Sequence, residues 1–151
     1  MQKITPFLMF NDQASEAMEF YCSIFPNSQI ASTMPGPEGK VMGGSFEING
    51  QKFNCYNAGE HPNFKFSQGV SFMIYAETQD EIDHYYYKLS EGGEQLACGW
   101  LTDKFGLSWQ VTPPILMQLL SDPDREKAGR VTEAMFKMTK IIIADLEAAA
   151  G

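Results

Sequence analysis

The residues of this chain best equipped for chemistry are two histidines, three cysteines and two pairs of neighbouring carboxylates, and their spacing joins none of them into a site. His61 precedes Pro62 in a loop-like stretch with no second ligand beside it. His84 sits next to Asp80 and Asp83 on the polar side of a helical pattern, a solvated position. Cys22, Cys55 and Cys98 are odd in number and far apart, which matches neither a disulfide framework nor a CxxC zinc site. A Cys–His nucleophile built on Cys55 or Cys98 has no local motif behind it, and a small buried hydrophobe is the role their surroundings favour. Glu16 with Glu19, and Glu81 with Asp83, fall on polar helix faces rather than forming an acid/base pair. Met117, Met135 and Met138 read as adaptable packing.

The elements that must position any site repeat themselves. Residues 7–31 (FLMFNDQASEAMEFYCSIFPNSQIA) and the stretch beginning 65 positions later (FMIYAETQDEIDHYYYKLSEGGEQLA) align so that Phe7 meets Phe72, Met9 meets Ile74 and Phe10 meets Tyr75. Glu16 meets Glu81, Phe20 and Tyr21 meet Tyr85 and Tyr86, and Ile24 meets Leu89. Each copy is a short apolar strand, a polar cap, a helix with an apolar stripe, and a Pro or Gly stop. Two copies are too few for a solenoid, and two half-sheets facing a shared cavity fit better.

The first copy predicts a strand over 3–10 and a helix capped by Asn11 or Asp12. That helix has Ala14, Ala17, Met18, Tyr21 and Ile24 on one side, and strands follow near 28–34, 41–48 and 52–57. Asn49-Gly50 supplies a hairpin turn, because Asn-Gly tolerates the positive φ angles of type I′. The second copy predicts a strand over 70–76 and a helix over 78–91 with Ile82, Tyr85, Tyr86 and Leu89 buried. Strands near 94–102 and 107–112 come next, and Pro113-Pro114 close the sheet. Beyond them Asp122 and Pro123 open a helix whose stripe is Ala128, Val131, Met135 and Met138, and Ile141–Ile143 can add an edge strand. The expected organisation is one α+β domain over 1–151, internally duplicated over 1–58 and 70–112, with a helical extension at 113–151.

Composition bounds the partners. A chain of this length can bury roughly 70% of its unfolded surface, and its 44% hydrophobic and 20% charged residues are ordinary for a globular protein. A net charge of −8 and the lack of any run of Lys and Arg argue against nucleic acid and against an anionic membrane surface. The opening MQKITPFLMFND holds no long apolar run, and no stretch approaches the roughly 18 apolar residues of a spanning helix. The expected location is the cytoplasm, with reduced thiols.

Three stretches together carry a family resemblance: TPFLMFNDQASEAMEFYCSIFPNS, CGWLTDKFGLSWQVTP and LLSDPDREKAGRVTEAMFKM. They resemble the PhnB-like branch of the vicinal oxygen chelate superfamily, which holds glyoxalases, bleomycin-resistance proteins and extradiol dioxygenases. Members of the branch are often labelled 3-demethylubiquinone-9 3-methyltransferase domains. The resemblance implies paired β-α-β-β-β units, each half of a cup, and a homodimer.

It also implies where a metal would sit. Carried over by strand position, the superfamily's ligand sites fall at or beside Thr5, Asn54, Ser71 and Gln110, none of which is His, Asp or Glu. Neutral hydroxyl and amide oxygens bind a catalytic divalent ion too weakly to hold it alone, so neither metal nor other cofactor is expected. The methyltransferase label meets a similar obstacle. A Rossmann-like cofactor sheet needs a glycine-rich strand-to-helix turn; the chain has no GxG, and Gly43-Gly44 and Gly92-Gly93 sit in a strand and at a helix end.

If the four polar positions face the cup, alternation brings Phe7, Met9, Tyr56, Met73 and Tyr75 in with them, and Trp100 can line the same cleft. Trp109 then lies on the opposite face, under the helices. The expected function is binding or processing of a small organic molecule in a metal-poor, aromatic-lined cleft. The alternatives are a metal-dependent lyase, isomerase or dioxygenase of the same superfamily, the methyltransferase of the label, and a non-catalytic structural or interaction module.

Overall fold

The computed structural model describes residues 2–151, which divide into two compact units, one ending at Lys65 and the other running from Phe66 to Gly151. The boundary falls in the loop that separates the two sequence copies.

In the first unit β1 (Phe7–Phe10), α1 (Ala14–Ile24), β2 (Gln29–Pro35), β3 (Val41–Ile48) and β4 (Gln51–Asn57) form a four-stranded sheet in the order β1-β4-β3-β2. β1 and β4 run parallel and the remaining pairs antiparallel. The expected stripe of α1 is the one buried: Ala14, Ala17, Met18, Tyr21 and Ile24 all lie against the sheet. The Tyr21 ring stacks on Phe46 at 5.9 Å and Phe46 on Phe53 at 5.1 Å. Burying side chains such as Met18 and Phe46 contributes about 1.5–3 kcal/mol each. Asn49 and Gly50 turn β3 into β4 with φ of 48° and 85°, the two positive angles a type I′ hairpin requires.

The cap of α1 differs from the expectation. Gln13, rather than Asn11 or Asp12, occupies the N-cap position and makes no side-chain bond. Asn57, 43 residues away at the end of β4, accepts the Ala14 N–H at 2.9 Å instead. A strand end brought beside a helix start can satisfy an orphan amide that a local cap would otherwise serve.

The second unit repeats the connectivity. β5 (Ser71–Tyr75), α2 (Gln79–Ser90), β6 (Glu94–Gln95), β7 (Trp100–Thr102) and β8 (Ser108–Thr112) give the order β5-β8-β7-β6, again with first and last strands parallel. Thr78 caps α2 by accepting the Glu81 N–H at 3.2 Å. Ile82, Tyr86 and Leu89 are buried, while Tyr85 is only half-buried.

The 65-residue offset holds in the helices, where Tyr21 and Tyr86, and Ile24 and Leu89, are buried equivalents. It slips in the strands. Phe7 stands 54% exposed on the face away from α1, whereas Phe72 packs its ring on the buried Trp109 at 5.6 Å. Side chains alternate with a period of two, so a one-residue shift exchanges the faces of the whole strand.

The tail departs further. The strand expected over 94–102 is broken by a helical turn at Ala97–Gly99, where Cys98 and Gly99 take φ of 61° and 81°. A Cβ on Gly99 would meet the Val111 carbonyl oxygen at 2.8 Å and Ile141 Cγ1 at 2.9 Å, so this approach tolerates only glycine. Pro113-Pro114 do more than end the sheet, because Pro114 opens α3 (Pro114–Leu120). Asp124, not Asp122, caps α4 (Arg125–Phe136) through the Glu126 and Lys127 amides.

Ile141–Ile143 form no strand. Ile141 is fully buried with Leu116, Val131, Leu146 and Ala150, and Ile143 begins α5 (Ile143–Ala150). The Gln79 amide on α2 takes both backbone groups that a strand would have paired, donating to Ile141 O at 3.0 Å and accepting from Ile143 N at 2.9 Å. Among the described residues no helix is long and apolar enough to cross a membrane.

Candidate functional site: the uncovered sheet faces

Each sheet has one face under its first helix and one face without it, and alternation assigns every strand residue to one or the other. In the first unit the face away from α1 carries Phe7, Met9, Asn54 and Tyr56, aligned in register as Phe7–Asn54–Ser45–Ser32 and Met9–Tyr56–Gly43–Met34. Phe7 and Tyr56 are exposed, and Met9 and Asn54 half-buried. Ser32 and Ser45 share a hydrogen bond of 2.7 Å, whereas the Asn54 amide finds no partner among the described residues. Thr5 lies before β1, where the Gln2 amide reaches its hydroxyl at 3.4 Å.

The second unit carries the matching surface. Ser71–Ser108–Thr102 and Met73–Gln110–Trp100 are the two rows across β5, β8 and β7, and Tyr75 pairs with Thr112 beyond them. Met73 and Tyr75 are exposed; Ser71, Trp100 and Gln110 are half-buried. Gln110 Nε2 donates to Ser71 Oγ at 2.9 Å, joining two of the expected polar residues directly. Trp109 lies on the other face, buried, with its indole N–H on Asp103.

Sequence reasoning missed the hydroxyl residues of these rows: Ser32, Ser45, Thr102, Ser108 and Thr112. Their signal was available in the alternation around Asn54, Trp100 and Gln110, once strand pairing is known. Ser108 is the unusual one. It is fully buried, and its Oγ has no hydrogen-bond partner within the described residues. An unpaired buried hydroxyl costs about 1–3 kcal/mol.

The conventional nucleophiles and bases lie elsewhere. Burial pushes the Cys55 thiol up to about 11 against a hydrogen bond from the Gly44 backbone, so it stays protonated at neutral pH beneath α1. Burial also raises the Cys22 thiol. His84 is exposed on α2 with its ring 5.1 Å from Tyr85, and His61 packs on Phe64 at 4.7 Å. A cavity of about 250 Å³ in the second unit is lined by Glu77, Pro113, Pro114, Ile115, Ile143 and Glu147, and includes none of the ten expected residues.

The donor set does not fit a catalytic divalent metal. Thr5, Asn54, Ser71 and Gln110 offer only neutral oxygens, and one of those already accepts a hydrogen bond from the Gln110 amide. Among the described residues no three His, Cys, Asp or Glu side chains come together around a point that could hold an ion. Tight binding of such an ion requires imidazole, thiolate or carboxylate ligands.

Paired β-α-β-β-β units with one uncovered face each define a vicinal oxygen chelate fold. Residues 2–112 match the 3-demethylubiquinone-9 3-methyltransferase family, and the chain belongs to that family, in the PhnB-like branch of the superfamily. The PhnB protein from Bacillus cereus is 40% identical, with a TM-score of 0.68 over 74% of this chain and 99% of its own. A protein from Pseudomonas aeruginosa at 22% identity shares the fold with a TM-score of 0.58, covering 75% of this chain and 98% of its own. The fosfomycin resistance protein FosX from Listeria monocytogenes shares it at 17% identity and a TM-score of 0.56, over 80% and 98%. No curated protein matches the chain. The α3–α5 extension lies outside the matched residues.

Proposed function

We propose that this chain binds a small organic molecule on the uncovered faces of its sheets, using neutral amides rather than a divalent metal as polar contacts. The observation that carries the reading is the setting of Gln110. Its amide is half-buried between Met73 and Trp100 in register, hydrogen-bonded to Ser71, with Tyr75 beyond. Asn54 repeats the setting between Phe7 and Ser45, with Met9 and Tyr56 in the next row. Aromatic and apolar surface with a few placed hydrogen-bonding groups is what a site for a flat or amphipathic ligand needs. Large side chains such as Phe7 and Tyr75, 54% and 60% exposed, are costly to leave in water without a use.

A homodimer in the cytoplasm completes the reading. Three free thiols suit a reducing compartment, and the charge of −8 keeps nucleic acid and anionic membranes from being partners. The test is a screen of neutral aromatic fragments against isotope-labelled protein by NMR. Binding at millimolar concentration or better, with amide shifts on β1, β4, β5, β7 and β8, is the expected result. Fragments that shift only the α3–α5 extension, or none that bind, would overturn it.

A further inference from the structure

The α3–α5 extension builds a cavity of its own in the second unit. A volume of about 250 Å³ is lined by Pro113, Pro114 and Ile115 at the start of α3, Ile143 and Glu147 on α5, and Glu77 between β5 and α2. All but Glu77 lie beyond residues 2–112, so the matched family domain alone does not supply this site. Hydrogen bonds set its frame. Ala76 N–H donates to Thr112 O at 3.0 Å, which holds the Glu77 side to the Pro113 side. Gln79, two residues past Glu77, fixes Ile141 and the start of α5 through both ends of its amide. A frame already held in place loses little freedom on binding.

The lining dictates the chemistry. Pro113 is fully buried, and Pro114, Ile115 and Ile143 are half-buried, which makes an apolar floor. Glu77 and Glu147 are exposed, so the cavity opens to water where they stand. Glu81 Oε2 accepts the Glu77 N–H at 2.9 Å, but neither the Glu77 nor the Glu147 carboxylate has a hydrogen-bond or ion-pair partner among the described residues. None of the six side chains carries a hydrogen-bond donor once both carboxylates are ionised, and the two prolines lack even a backbone N–H. An anion would meet two like charges there. A divalent metal needs more ligands than two carboxylates supply, and among the described residues no three His, Cys, Asp or Glu side chains gather around such a point. An organic cation uses the whole lining, its apolar body on the floor and its N–H donors on the carboxylates. At about 250 Å³ the cavity falls just below the roughly 300–1,000 Å³ of drug-sized sites, which sets a small ligand.

We propose that this cavity binds a small amphipathic organic cation, an amine or amidine, with its charged head at Glu77 and Glu147 and its body on Pro113, Pro114, Ile115 and Ile143. The site shares no residue with the uncovered sheet faces and takes a different class of probe, so either can fail without the other.

Benzamidine, benzamide and benzoate are nearly the same shape and differ in charge, so titrating each into the full chain, followed by amide NMR, reads the class directly. Benzamidine should shift Glu77, Ile115, Ile143 and Glu147 and bind about fivefold or more tightly than benzamide, with benzoate weaker still. Raising salt from about 20 to about 300 mM should weaken benzamidine about threefold, because exposed charges are screened. Glu77→Gln and Glu147→Gln should each weaken it about threefold, and the double variant should bind benzamidine no better than benzamide. Both single variants should melt within about 1 °C of wild type, since neither carboxylate is bonded within the fold. Glu91→Gln removes the same charge at the other end of α2 and should leave the affinity unchanged, which separates the site from a general attraction to a chain of charge −8. Equal or tighter binding of benzamide or benzoate overturns the cationic class. Benzamidine shifts spread over the acidic surface, or an equal loss in Glu91→Gln, overturn the site. Loss of the fold in either glutamine variant would show a structural role for that carboxylate and overturn its assignment. No shift at the cavity of wild type overturns the proposal outright.

Discussion

The indole N–H of Trp109 donates to Asp103 Oδ2 at 2.9 Å, which ties the middle of β8 to the turn that precedes it. The other oxygen of Asp103 accepts the Phe105 and Leu107 backbone N–H groups at 2.9 and 3.0 Å, and the residue is 2% exposed. One carboxylate therefore shapes the Asp103–Gly106 turn and fixes the Trp109 ring beneath the face that carries Gln110. Asp103→Ala leaves these donors without their acceptor and should cost about 2–4 kcal/mol. Asp103→Asn keeps one oxygen for the backbone pair and should cost less. Urea unfolding checks both, and a loss below about 0.5 kcal/mol for the alanine variant would contradict the role.

The C-terminal extension is clipped to α2 by charge. Lys140 Nζ lies 2.6 Å from Asp83 and 2.9 Å from the Tyr87 hydroxyl, and the Gln79 amide donates to the same Asp83 oxygen. The hydrogen bonds from Lys140 and then Gln79 hold the Asp83 carboxyl below its ordinary range. Burial works against the Lys140 ammonium, but its bonds to Asp83 and Tyr87 raise it overall. A depressed carboxylate stabilises above its unfolded pKa and loses that contribution as pH falls through the folded value. A raised ammonium stabilises below its unfolded pKa and loses it as pH rises through the folded value. The clip should thus be flat through neutrality and fade below about pH 4 and above about pH 10. Because Asp83 is partly exposed, its worth is under about 1 kcal/mol. The difference in melting temperature between wild type and Lys140→Met should be positive at pH 7 and vanish in acid; a difference that persists at pH 2 would refute the clip.

Local periodicity made α1 and the β3–β4 hairpin legible, because their stripes and the Asn49-Gly50 turn are set by neighbouring residues. It failed where tertiary partners decide. The Ala14 amide is capped from β4 by Asn57, a residue no local window includes. The β-branched Ile141–Ile143 run was diverted from a strand by Gln79, 62 residues earlier than Ile141, and by a core that needed Ile141. The break at Cys98 is held by two amides: Cys98 N–H donates to Met138 O at 2.9 Å and Gly99 N–H to Thr139 O at 2.7 Å. The candidates Thr5, Asn54, Ser71 and Gln110 came from the family resemblance carried over by strand position, and alternation added Phe7, Met9, Tyr56, Met73 and Tyr75; Ser108 was not among them, because an unpaired hydroxyl becomes visible only when its surroundings are known.

Metal content offers a direct check on the donor set. With only neutral oxygens at Thr5, Asn54, Ser71 and Gln110, purified protein should carry far less than one equivalent of zinc, nickel, iron or manganese. Chelation should leave the melting temperature unchanged within about 1 °C, since an ion bound to the native state would otherwise stabilise it. Stoichiometric metal by elemental analysis, lost together with stability on chelation, would show that the ligands lie at other residues.

Assembly can be tested separately. β2 is exposed along its whole length, at the edge of its sheet, with register shifts after Ile30 and Met34. Such an edge invites cover by another chain. Sedimentation at micromolar concentration should give a dimer, and a clean monomer there would contradict the proposal.

The two amides should separate binding from mere packing. Asn54 lies on β4 and Gln110 on β8, each on the strand that runs parallel to the first strand of its unit and each on the uncovered face. An amide that hydrogen-bonds a ligand in a partly desolvated setting is worth roughly 1–3 kcal/mol when lost, whereas a solvated side chain is worth almost nothing. With a neutral aromatic fragment such as 4-hydroxyacetophenone as the probe, Gln110→Ala should weaken binding about tenfold or more without changing the fold. It removes the donor to Ser71 as well as the direct contact, so its effect should equal or exceed that of Ser71→Ala. Asn54→Ala should weaken binding by a similar factor if the probe also occupies the first unit's face. His84→Ala, on the exposed side of α2, should leave the affinity within about twofold of wild type. Loss of binding in His84→Ala alongside normal binding in both amide variants would place the ligand on the helices and remove the uncovered sheet faces as the site.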